Sequence, residues 1–144
     1  MEGATVAPWR KAMITSATRR RLALALRLSA ILILGADAAV MAFRPEALAA
    51  EFAATGFEAA QAPQIAAILA VSILLYAIPR TALLGAICIT GFLGGAICAH
   101  VRLGELASPP QWICVILGVM TWAGVRGSKS WQPWLDYSET ADRQ

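Results

Sequence analysis

Four apolar runs, at residues 22–43, 63–78, 81–99 and 112–126, fill most of the chain and leave few ways to fold it. Hydrocarbon offers no water to satisfy peptide groups, so a spanning segment must bond its own backbone, which an α-helix does within one segment. At about 1.5 Å per residue, a run of roughly 20 residues crosses the ~30 Å apolar core of a bilayer. The runs therefore predict an all-α integral membrane protein, an antiparallel four-helix bundle over residues 22–126. Composition agrees. The 144 residues are 58% hydrophobic and 15% charged, with a mean hydropathy of +0.62, where a soluble domain carries about 25% charged residues.

The formal charge of +3 does not point to nucleic acid. The bases cluster at the ends of the apolar runs, where membrane topology places them. Arg10, Lys11, Arg19, Arg20, Arg21, Arg80, Arg126, Lys129 and Arg143 fall on one side, and only Arg44 and Arg102 on the other. A multi-pass protein of a bacterial inner membrane is expected, and the positive-inside rule orients it. It puts the basic segment 1–21, the Pro79-Arg80 turn and the tail 127–144 in the cytoplasm. The first run is too long for a signal-peptide core and is interrupted by Arg27 and Asp37, so it is expected to stay in the protein. Trp112, Trp122, Trp131, Trp134 and Tyr137 suit interfacial anchoring. The last run is short and must sit in thinner membrane or extend at its ends.

Residues 45–61 differ in kind. Pro45 suits a first helical turn, Leu48 and Phe52 share a face, and Gly56 is a natural stop. A short amphipathic helix on the membrane surface is expected between the first and second crossings.

Few residues can carry chemistry. A charge at bilayer depth costs at least ~2.5 kcal/mol, so such residues usually face a bundle interior. Asp37 stands about 9 Å below the Phe43 end of the first helix, in its outer half. The third helix also runs outward and brings His100 and Arg102 to the same side. If the first and third helices touch, Asp37, His100 and Arg102 converge on one outward-facing pocket, with Thr90 and Tyr76 as further candidates for its lining. The same three residues could instead form a buried pair that only fixes helix register. Arg27, about 15 Å from Asp37 along the helix, is too distant to pair with it and is expected to snorkel to the cytoplasmic surface. Gly91, Gly94 and Gly95 form a GxxxG-type face that predicts close helix packing, or a groove admitting a flat ligand. Cys88, Cys98 and Cys114 have no CxxC spacing, and the single histidine has no partner at ligand spacing, so no metal site is expected.

Residues 76–104, YAIPRTALLGAICITGFLGGAICAHVRLG, resemble the signature block of the DoxX-like family of small four-helix membrane proteins. Pro79, Arg80, Thr81, Gly85, Thr90, Gly91, Gly94, Gly95, His100, Arg102 and Gly104 carry the resemblance, with Phe92 where tyrosine is usual. Gly35-Ala36-Asp37-Ala38-Ala39 looks like the family's first-helix Asp-Gly-Ala pattern, with Ala38 for glycine. Thr55-Gly56-Phe57 is similar to its Leu-Gly-Tyr turn. The resemblance covers about residues 21–129. It implies a redox-associated subunit, binding a quinone-like or other small amphipathic molecule. It equally admits a non-enzymatic assembly factor or structural subunit, held to other membrane subunits or to copies of itself. A solute carrier fits less well, since no inverted repeat or broken-helix pair is evident.

Overall fold

The computed structural model describes residues 8–126, and every regular element among them is helical. Helix α1 spans Pro8–Phe43, α2 Ala49–Thr55, α3 Ala62–Ala77, α4 Ala82–Arg102 and α5 Pro109–Arg126. Short 3-10 turns at Pro45–Leu48 and Ala59–Gln61 flank α2. Among the described residues, three segments are long and apolar enough to cross a membrane: Ala17–Phe43, Ala59–Ala77 and Ala82–Arg102. The expected fourth run is also a helix, α5, but is not one of these. Its 18 residues begin Pro109-Pro110-Gln111 and end at Arg126, which dilutes the apolar stretch.

Helix α1 begins at Pro8, within the basic segment, and continues unbroken into the first apolar run. Proline suits a first helical turn, and residues 9–34 contain neither glycine nor proline to stop the helix. The tail 127–144, with Trp131, Trp134 and Tyr137, lies outside the described residues.

One stripe on each long helix makes the core. On α1 it is Ala23, Arg27, Ala30, Leu34, Ala38 and Met41, all buried and spaced four or three residues apart. On α3 it is Ala62, Ala66, Leu69, Ser72 and Tyr76. Alanine recurs because helices in lipid gain no hydrophobic drive from association and rely on close backbone contact. The larger apolar side chains point outward, Leu32 being 71% exposed and Val119 65%. Helix α1 packs on α3 and α5, and α4 packs on the same two. Helices α1 and α4 face each other diagonally across the core and share no comparable interface.

The α3–α4 turn is closed by Thr81, whose hydroxyl donates to the Leu75 carbonyl at 2.8 Å. Just beyond, Gly85 lies against the backbone of Tyr76 and Leu75, where a β-carbon would stand 2.7 Å from the Leu75 carbonyl carbon. Gly124 on α5 plays a similar part, with Arg27 Cβ and Cα at 3.0 and 3.1 Å from its missing β-carbon. The expected packing glycines behave otherwise. A β-carbon on Gly91, Gly94 or Gly95 would meet nothing within 4 Å. The close approach within the chain is made at Gly85 and Gly124, because the stripe of α4 that meets α3 and α5 runs through Ala82, Gly85, Ala86, Ile89 and Leu93.

Helix α2 forms where expected, with Leu48 and Phe52 packed on the core. Gly56 ends it with φ 78°, a left-handed value that a β-carbon disfavours.

Candidate functional site

A cavity of about 620 Å³ opens where α2, the N-terminus of α3, the C-terminus of α4 and the start of α5 meet. Its walls are mostly apolar. Ile65 and Ile68 come from α3, and Gly91, Phe92 and Gly95 from α4. Gly91 and Gly95 have open space above them, so the glycine face forms a flat wall of the cavity. Helix α2 and the turn after it close one side with Glu51, Phe52, Thr55 and Phe57. Glu105 and Ser108 stand at the mouth.

His100 lines this cavity, with Nδ1 2.9 Å from Oε2 of Glu105. An ionised carboxylate only accepts hydrogen bonds, so the contact assigns the proton to Nδ1. Ser108 begins α5 in the pattern Ser-Pro-Pro-Gln. Its backbone N–H donates to Oε1 of Gln111 at 3.1 Å, half of a capping box. The Gln111 side-chain amide donates to the Glu105 carbonyl at 2.7 Å, which holds the loop 105–108 in place. The Ser108 hydroxyl is buried and has no hydrogen-bond partner among the described residues.

The other expected site residues lie elsewhere. Arg102 does not line the cavity. Its Nη2 donates to the Thr55 carbonyl at 2.6 Å and so ties the end of α2 to α4. Asp37 is exposed on α1, off the buried stripe, and Glu51 is a like charge within electrostatic reach. It stands one turn from Met41, the α1 residue that does line the cavity. Thr90 is ten residues, about 15 Å, from His100 along α4. It accepts a hydrogen bond from Nε1 of Trp122 at 3.0 Å and donates to the Ala86 carbonyl at 2.8 Å. Tyr76 is fully buried at the far end of α3, where its hydroxyl donates to the Thr121 carbonyl at 2.8 Å. Convergence of Asp37, His100 and Arg102 required α1 to touch α4, and the diagonal arrangement separates them.

Arg27 departs furthest from expectation. It does not snorkel but is 8% exposed, wedged between Tyr76 and Gly124. Its Nη2 donates to the Tyr76 carbonyl, and its guanidinium carbon stands 5.2 Å from the centre of the Tyr76 ring. The carbonyl belongs to the last turn of α3, where the helix dipole favours a cation. One sequence signal pointed there: Arg27 keeps the spacing of the Ala23, Ala30 and Leu34 stripe. For the cavity mouth, the signal was the Ser108 to Gln111 capping spacing.

Arg102 gives a direct test. Replacing it with alanine should raise hydrogen-exchange rates of residues 51–55 about tenfold or more, the worth of one charge-assisted hydrogen bond. Arg44→Ala, which removes only an exposed 3.7 Å contact with Glu46, should not. An unchanged rate in Arg102→Ala would mean that Leu48 and Phe52 alone hold α2.

Among the described residues no group of three His, Cys, Asp or Glu side chains could hold a metal ion, and Cys88, Cys98 and Cys114 are unbridged. Comparison with characterised proteins and with solved structures gives no match. The sequence profile of the DoxX-like family matches residues 25–124, most of the chain and both walls of the cavity. The protein belongs to the DoxX-like family.

Proposed function

We propose that this protein is a redox-associated membrane subunit that binds a quinone-like or other small amphipathic molecule in the cavity beside His100. The carrying observation is the cavity itself: an apolar wall at Ile65, Ile68, Gly91 and Gly95, with His100, Glu105 and an unpartnered Ser108 hydroxyl at its mouth. About 620 Å³ falls within the roughly 300–1,000 Å³ typical of small-molecule sites, which combine apolar walls with a few polar groups. In this reading α5 is a fourth crossing, and α1, α3, α4 and α5 form an antiparallel bundle in a bacterial inner membrane. Arg19, Arg20, Arg21, Arg80 and Arg126 put both termini in the cytoplasm, so the cavity faces outward. Asp37, beside the cavity at Met41, would polarise its approach.

Native mass spectrometry of the protein extracted from its own membranes in mild detergent tests this. A small-molecule adduct is expected on the natural chain. Gly95→Leu, which fills open space, should abolish it while leaving the protein folded, and His100→Ala should weaken it. An adduct that survives both changes would refute the site. One observation favours a second reading as a structural or assembly subunit: the glycine face is left unpacked within the chain and could receive a helix of another protein. The same spectrum would then show a bound subunit in place of an adduct.

A further inference from the structure

Two carboxylates stand in the cavity lining. Glu51 and Glu105 line it, and no lysine or arginine does. The two arginines at this end of the helices lie outside the lining, Arg44 beside Glu46 and Arg102 held on the Thr55 carbonyl. Glu51 has no ion-pair partner among the described residues. Glu105 is bonded to Nδ1 of His100 at 2.9 Å.

Aromatic rings reinforce this. Phe52, Phe57 and Phe92 all line the cavity, and Phe52 and Phe57 meet edge to face with centroids 6.4 Å apart. The face of an aromatic ring attracts a cation, and ammonium heads are commonly recognised by aromatic groups with a nearby carboxylate. An anionic head would meet Glu51 and Glu105 with no lysine or arginine in the lining. A zwitterionic phospholipid would bring a phosphate to the same place and two tails too large for about 620 Å³.

We propose that the cavity selects a cationic amphiphile, with one ammonium head against Glu51, Glu105 and the phenylalanine rings and one compact apolar body along Gly91 and Gly95. This rests on reading the cavity as a ligand site and chooses among the amphiphiles that reading admits. The head sits where the bilayer gives way to water, and the body lies along α4 between Ile68 and Phe92.

The test is equilibrium dialysis of the full chain in phosphatidylcholine nanodiscs, with empty discs subtracted. Three probes are used: octyltrimethylammonium, octyl sulfate and a short-chain ubiquinone analogue. Saturable binding of the ammonium probe is expected, tighter than either other probe. Glu51→Gln should weaken it about tenfold, a loss of one favourable charge contact, and Phe57→Leu should weaken it measurably. Both substitutions are at exposed positions, and elution as a single species checks the fold. If the quinone analogue binds and the ammonium probe does not, the charge inference fails and the proposed function stands. Tighter binding of octyl sulfate, or ammonium binding indifferent to Glu51→Gln, also overturns the inference. If no probe saturates, both the inference and the ligand-site reading fail.

Discussion

Gly85→Ala should be the most damaging single-methyl change in this protein. Alanine is normally the better helix former by about 1 kcal/mol. Here the new β-carbon would be driven into the backbone of Tyr76 and Leu75. Backbone in a tight turn cannot rotate away as a flexible side chain can, so α3 and α4 must separate. Separation would disturb the Thr81 to Leu75 bond and the seating of Tyr76. A loss of about 3 kcal/mol is expected, at the upper end of overpacking costs. Unfolding by SDS in mixed micelles measures it. Gly94→Ala is the internal control, because nothing lies within 4 Å of its β-carbon position. That change should leave stability level or raise it by up to about 1 kcal/mol. Equal losses in the two variants would mean that helix flexibility, not the close approach at Gly85, decides the outcome.

Removing Arg27 should cost nearly as much, but for a different reason. The side chain fills space between α1, α3 and α5, donates to the Tyr76 carbonyl and stacks near the Tyr76 ring. Arg27→Ala strands that carbonyl and opens a cavity, an expected loss of about 3 kcal/mol. Arg27→Met restores most of the volume and removes the cost of burying a cation. It should recover about 2 of those kcal/mol, leaving the missing hydrogen bond of about 1 kcal/mol. The same SDS titration reads both variants. If methionine is as poor as alanine, the charge on the α3 terminus matters more than packing. If neither variant loses stability, Arg27 is not part of the core.

These two positions show where the sequence could be read and where it could not. Glycines 91, 94 and 95 carry the recognisable spacing, whereas Gly85 carries none and makes the close contact. Spacing along one helix says which residues share a face, but not what that face meets. Arg27 was read against its distance to Asp37, a one-dimensional measure. Its place on the Ala23 to Met41 stripe held the better clue, since the same spacing brings every neighbour on that face into the core. Asp37 drew attention by its charge, yet it lies off that stripe and remains exposed. His100 was expected in one pocket with Asp37 and Arg102, and it lines a cavity that neither of them lines. Its actual partner, Glu105, lies five residues on, past the end of α4, where no helical periodicity applies.

By itself the sequence determined the solvent and the class. Segments this apolar must face lipid, lipid forces each to satisfy its own backbone, and a helix is the local answer. It also determined the breaks, because proline and glycine act through their own dihedral angles at Pro45, Gly56, Pro79 and Pro109. Only the tertiary structure decided which helices are neighbours. Placing α1 diagonal to α4 parted Asp37 from His100, buried Arg27 on Tyr76 and turned Gly91 and Gly95 toward an open cavity. Pairwise packing of four helices depends on how all their faces fit at once, and no one segment encodes that fit.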